Sequence, residues 1–405
     1  MTAKGSGREV GLAADGPPHT GAEAASLELT GWTRVAAWVA AAALIYALVC
    51  AVSIMSRGFR SLSGDSAKAL FAFADQPLVA LAVGVLVTVL IQSSTTKTAI
   101  TVAAVGTGAL TLRHSIPLIL GANIGTTVTS TIVALGFAKE PEKFRRAFTG
   151  AGISDWFNLL AVAIFLPIEI WLHPLERASS GLANLLYGSG PSNLSSFDPV
   201  RTITAPVVTG VSSATGRLND TLGPLVMIML GVVLIFVVVR YLGDLLKLLM
   251  IGRASEWLQA AVGRNDAVAM AAGTGVTIVT QSSTVTNTVL IPFVGVGALT
   301  PRQIYPLTLG AGLGTTLTSV LAAFAVTGGS AATAKIGLQA AFVHVLFNVF
   351  SILVIFVIPI LRPIPLRCAE AVAGVAARHK WFAAFYIGTV FVALPALVIA
   401  LYAIF

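Results

Sequence analysis

The chain has 405 residues, 56% of them apolar and only 10% charged, and apolar runs of membrane-crossing length recur along it. That composition excludes a soluble globular protein and predicts an all-α polytopic membrane protein. The formal charge of +8 does not point to nucleic acid, because the basic residues fall in short groups between apolar runs, as the positive-inside rule expects.

Residues 1–31 contain no apolar run and predict a disordered tail. Residues 32–55 predict a first transmembrane helix, with Trp32 and Trp38 near an interface. Residues 57–76, with Arg57, Arg60, Lys68 and Phe71, predict an amphipathic helix on the membrane surface, ended by Pro77. Residues 78–91 are apolar for about 14 residues, about 21 Å of helix, short of a hydrocarbon core of about 30 Å. A polar turn follows, from Gln92 to Lys97, and then a second short segment. Residues 78–112 therefore predict a re-entrant hairpin with its turn at membrane depth, enclosed in protein or lining a wet cavity. One long helix with Ser and Thr bonded back to its own carbonyls is the alternative, and six consecutive polar residues including a lysine count against it.

Residues 116–137 predict a span broken at Gly121-Ala122-Asn123-Ile124-Gly125-Thr126-Thr127, and Lys139, Lys143, Arg145 and Arg146 then mark a cytoplasmic loop. Residues 148–172 cross again, carrying Asp155 and Asn158. Residues 173–223 are Gly/Ser/Pro/Asn-rich and predict the longest connector, after which 224–251 cross back. The second half repeats the plan with a hairpin over 268–299, a broken span over 304–326, and a span over 336–361 carrying His344 and Asn348. A basic loop from Arg362 to Lys380 and a last span over 382–405 complete the chain.

The two halves, 32–172 and 224–361, are copies. Gln92-Ser93-Ser94-Thr95 returns as Gln281-Ser282-Ser283-Thr284. At the same offset Gly84 meets Gly273, Pro117 meets Pro306, Gly121 and Gly125 meet Gly310 and Gly314, and Thr126-Thr127 meets Thr315-Thr316. One register held through so many Gly, Pro and polar positions indicates an internal duplication. Counted from a cytoplasmic N-terminus, residue 78 enters from outside and residue 268 from inside, so the repeats are expected to be inverted, as in many secondary transporters.

Each turn leaves one half-helix at its C-terminus and enters the next at its N-terminus. The N-terminus presents unpaired N–H groups and about half a positive charge, which suits an anion, while C-terminal carbonyls suit a hard cation. Two such N-termini with the hydroxyls of Ser93, Ser94, Thr95, Ser282, Ser283 and Thr284 suit a tetrahedral oxyanion. Gln92 and Gln281 have a carbonyl oxygen for a cation and an amide for the anion, and the sequence leaves the choice open. Gly121, Gly125, Gly310 and Gly314 also satisfy the small-xxx-small rule for close helix packing. Thr126, Thr127, Thr315 and Thr316, at an expected helix break, are candidate sodium ligands. Asp155, a carboxylate deep in a span, is a candidate cation ligand, with an ion pair to Lys97 as its structural alternative. Asn158, Asn348 and His344 read as helix-to-helix bonding groups. Cysteine chemistry, covalent catalysis and a P-loop have no residues to carry them, so neither an enzyme nor a cofactor is expected.

The doubled Gln-Ser-Ser turns, Gly-Ala-Asn-Ile-Gly-Thr-Thr at 121–127, Phe144-Arg145-Arg146-Ala147-Phe148 and Tyr305-Pro306-Leu307-Thr308-Leu309-Gly310 resemble the type II sodium/phosphate cotransporter family. The resemblance covers roughly residues 75–172 and 265–367. It implies sodium-coupled transport of inorganic phosphate across the plasma membrane by alternating access, and a homodimer. The two turns would hold phosphate, while Asn123 and the Thr pairs would contribute to sodium sites. The chain departs from the family pattern at Thr95 and Thr284, where Ser is usual, at Leu313, where Asn is usual, and at Ser154, where His is common. Lys97 replaces a small hydroxyl residue and corresponds to Thr286 in the other repeat. An ammonium there would neutralise phosphate charge in place of one sodium ion; an ion pair with Asp155 or snorkelling into a vestibule are the other readings. An uncoupled anion channel and a carrier of another oxyanion are the alternative functions.

Overall fold

A computed structural model describes residues 31–62, 64–187, 199–261, 264–325 and 331–404. The expected disordered tail lies, apart from Gly31, outside them. No strand occurs among the described residues, and seven helices are long and apolar enough to cross a membrane. The chain is an all-α multi-pass membrane protein.

Helix α1 (Gly31–Ser61) runs straight through the first expected span, and a short α2 (Gly64–Ala69) and a 3₁₀ turn at Ala72–Asp75 lead on from it. The single surface helix expected over 57–76 is not formed: Gly58 and Phe59 are buried and continue α1. Then come α3 (Pro77–Ile91) and α4 (Ser94–Gly106), of 15 and 13 residues. The same pair of lengths recurs in α10 (Asp266–Thr280) and α11 (Ser283–Gly295). Fifteen residues make about 22 Å of helix, short of a bilayer core.

Each first half-helix lies against the long helix that follows its hairpin: α3 on α5 (Leu112–Ala134), and α10 on α12 (Pro301–Phe324). The contact is backbone to backbone. A Cβ on Gly121 would press into the Leu81 carbonyl, and one on Gly310 into that of Met270. The packing reading of these glycines is thus the one the structure bears out.

The expected breaks in these spans are absent. Helices α5 and α12 run without interruption through Gly121–Thr127 and Gly310–Thr316. The glycines serve close packing, and the polar side chains cap carbonyls of their own helix: Asn123 donates to Ile119, Thr126 to Ala122, Thr127 to Ile124, Thr315 to Ala311 and Thr316 to Leu313.

The described parts of the connector 173–223 are largely helical, against the loop its composition suggests. They hold α7 (Pro174–Tyr187) and α8 (Pro199–Thr215), each opened by a proline, whose fixed φ and missing N–H suit a first helical position. Helix α6 (Pro141–Leu172) precedes them and α9 (Leu222–Ala261) follows. After α13 (Ala331–Ser351) a π-helical stretch covers Ile352–Val357. The expected basic loop is a helix, α14 (Pro363–Arg378), which buries Leu366, Ala369, Ala373 and Ala376 at helical spacing against α6. Helices α15 (Lys380–Gly388) and α16 (Leu394–Ile404) form the last span.

Candidate functional site

The two turns are built alike. Gln92 and Gln281 close their half-helices in the left-handed conformation, with φ of 57° and 51°. That backbone is uncommon for a residue with a Cβ and costs on the order of 1 kcal/mol or more. Ser93 and Ser282 then cap the next half-helix: the Ser93 hydroxyl accepts from the Thr96 amide at 3.1 Å and the Ser282 hydroxyl from the Val285 amide at 3.2 Å. With those donors used, the amides of Ser94 and Thr95, and of Ser283 and Thr284, remain at the helix starts.

The glutamines bond in one fixed sense. Gln92 Nε2 donates to the Val89 carbonyl and Gln281 Nε2 to that of Ile278. A carbonyl only accepts, so the amide nitrogen must face it. The side-chain oxygens accept in turn from Thr129 and Thr318, at 2.6 and 2.8 Å. Those threonines are themselves repeat mates, at the same offset as the glutamines. Both glutamines therefore tie their turns to α5 and α12.

A cavity of about 290 Å³ is lined by both turns together, Gln92 to Thr95 from one repeat and Gln281 to Thr284 from the other. Arg240 and Asp244, one helical turn apart on α9, also line it. No ion pair or hydrogen bond joins either of them to another group among the described residues. They lie in the apolar window Leu222–Leu246, where unpaired charge is costly unless it faces water. Sequence reasoning passed over this pair, although charges inside the apolar span 224–251 were the available signal.

Ser94 and Ser283 also line a second, inner cavity of about 40 Å³. Its walls carry Asn123, Thr126, Thr127 and Thr315, together with Asn158, Asn287 and Asn348. The Asn287 side-chain oxygen is buried there with no hydrogen-bond partner. Asn123 is the junction between repeats: its oxygen lies 3.3 Å from His344 Nε2 and 3.4 Å from Asn348 Nδ2. A volume of 40 Å³ takes a few water-sized particles, since one water needs about 10–15 Å³ by this measure. It suits a small cation surrounded by neutral oxygens, while the larger vestibule suits a polyatomic anion.

Three expected site residues stand elsewhere. Lys97 is buried in the wall between α4 and α5 and donates to the Leu118 carbonyl, so it neither snorkels into the vestibule nor pairs with Asp155. Asp155 is fully buried; Oδ2 accepts from Thr131 at 2.9 Å and from Tyr386 at 3.3 Å, while Oδ1 has no partner. Thr316 turns to its own helix.

Residues 47–188 and 234–361 match the family described as the Na+/Pi-cotransporter. The chain belongs to that family. The match covers both hairpins and leaves α14 to α16 outside, so Tyr386 reaches Asp155 from beyond the shared core. The chain is 30% identical over 448 residues to human sodium-dependent phosphate transport protein 2B, covering 88% of this chain and 64% of that one. It is 32% identical over 427 residues to mouse sodium-dependent phosphate transport protein 2A, with coverage of 88% and 66%. This cotransporter-family chain thus spans just under two thirds of the length of these relatives. No solved structure matches it.

Proposed function

We propose that this protein is a secondary transporter that couples sodium ions to inorganic phosphate and works by alternating access between two inverted repeats in the plasma membrane. The observation that carries this is the shared vestibule: equivalent turns from the two repeats line one cavity, and Ser94 and Ser283 join it to the cation-sized inner cavity. Phosphate is held by the free amides and hydroxyls of Ser93, Ser94 and Thr95 and of Ser282, Ser283 and Thr284. Arg240 supplies a positive charge at the entrance, and Gln92 and Gln281 hold the turns in place. Sodium occupies the inner cavity among Asn123, Thr126, Thr127 and Thr315. The relatives named as sodium-dependent phosphate transport proteins support both ion and substrate. Like them in its core, the chain is proposed to assemble as a homodimer.

The test is radiolabelled phosphate uptake into proteoliposomes, with an inward sodium gradient compared against potassium at equal ionic strength. Sodium-only accumulation above equilibrium is expected. Equal flux in both salts, never exceeding equilibration, would mean an uncoupled channel. Competition by unlabelled arsenate and sulfate reports which oxyanions the vestibule accepts.

A further inference from the structure

We propose that a pocket in the second repeat, at the membrane-face end of α12 and α14, binds the phosphate group of an anionic ligand separately from the transport vestibule. Arg302, Arg362 and Arg367 line this pocket of about 460 Å³, with Glu370 and Tyr305. It shares no lining residue with the vestibule.

The duplication supplies a control inside the molecule. A pocket of about 210 Å³ in the first repeat is lined by Arg113, the repeat mate of Arg302, and by His173, which precedes the proline that opens α7 as Arg362 precedes the proline that opens α14. The two pockets therefore occupy corresponding places in the two repeats, and their lining charge differs. The first pocket is lined by two acids, Asp75 and Glu169, beside Arg113, His114 and His173, and the second by three arginines and one acid. In the first repeat the acids are used internally: Asp75 pairs with His114 at 3.1 Å, and Glu169 accepts the amides of Leu175 and Glu176 at the start of α7. In the second, three guanidinium groups face one lining carboxylate. Among the described residues only Arg362 of the three is paired, with Asp266 at 2.6 Å, and it also lies 4.2 Å over the Phe356 ring.

A second observation is independent of charge. The Tyr305 hydroxyl is buried without a hydrogen-bond partner, in a side chain only 4% exposed that lines this pocket. A buried hydroxyl without a partner is destabilising, and an oxyanion that accepts its hydrogen bond removes that cost. A basic loop satisfying the positive-inside rule needs neither a cavity nor such a hydroxyl. Arg302 is the second residue of one span, and Arg362 lies just beyond the end of another, Lys335–Val357. That is the level of lipid phosphates, and guanidinium forks match phosphate oxygens in pairs. A lipid headgroup and free phosphate offer the same chemistry.

The experiment uses the full chain purified in detergent. Native mass spectrometry after incubation with equimolar phosphatidylglycerol and phosphatidylcholine should show retained phosphatidylglycerol, reduced about tenfold in Arg302→Gln/Arg367→Gln and unchanged in the first-repeat control Arg113→Gln. In a parallel arm without lipid, inorganic phosphate is titrated while the unfolding temperature is followed. A phosphate-induced rise that is smaller in the double variant, with no lipid preference, assigns the site to free phosphate. Equal lipid retention and equal phosphate response in wild type and double variant overturn the proposal. If the double variant does not fold, Arg302→Lys/Arg367→Lys and Tyr305→Phe replace it, with weaker retention expected and unchanged retention counting against the site.

Discussion

Gln92 and Gln281 hold the same left-handed backbone, φ 57° and 51°, and each accepts a hydrogen bond from a threonine 37 residues further along the chain. The two bonds are equivalent by repeat. Thr129→Val and Thr318→Val each remove one neutral bond worth about 1 kcal/mol, so each should lower phosphate uptake about fivefold if the turn must be held to bind. Uptake kinetics in proteoliposomes check this. A loss in one variant and none in the other would show that only one turn holds the substrate.

Arg240 should matter for substrate capture more than for turnover. Arg240→Gln is expected to raise the KM for phosphate several-fold with little change in maximal rate, and Arg240→Lys to retain most of the affinity. Because an exposed charge is screened by salt, the difference should shrink as ionic strength rises at fixed sodium. A KM unchanged at low salt would remove Arg240 from the entrance.

Lys97 is buried in α4 and bonds to the Leu118 carbonyl rather than to a ligand. Its repeat mate Thr286 bonds to Thr277 at 2.7 Å, so Lys97→Thr is a substitution the same architecture already accepts. If the ammonium replaces a coupling ion, the variant moves more sodium charge per phosphate and shows a steeper sodium dependence. Simultaneous current and tracer flux measure the ratio; an unchanged ratio leaves Lys97 a structural group.

Gly121→Ala and Gly310→Ala should destabilise the protein by about 2 kcal/mol or more, because the added methyl group meets backbone carbonyls that cannot swing aside. Gly374→Ala, in α14 with open space around it, should instead gain up to about 1 kcal/mol from helix propensity. Thermal unfolding in detergent compares the three. Loss of stability at Gly374 of the same size would show that helix packing is not what sets these glycines apart.

Much of the site is legible in the chain because duplication prints the same signal twice: Gln92 and Gln281, and the short half-helices beside them, stand out at one offset. The helix break expected at Gly121–Thr127 is absent because glycine and threonine mark either a break or a packed face, and only the facing helix distinguishes them. The connector is helical against expectation because Ser, Gly and Pro hide helices that are stabilised by neighbours rather than by propensity.

By itself the sequence determined the class, the spans, the duplication and the two polar turns, since hydropathy and register can be read along a single chain against a bilayer of known thickness. Only the tertiary structure decided that Arg240 and Asp244 line one cavity with both turns, that Asn123 meets His344 and Asn348, and that Lys97 bonds to the Leu118 carbonyl and not to Asp155. Those partners lie far apart along the chain, and which of them meet is set by helices packing face to face; a local glycine pattern marks a close contact but does not name the helix that fills it.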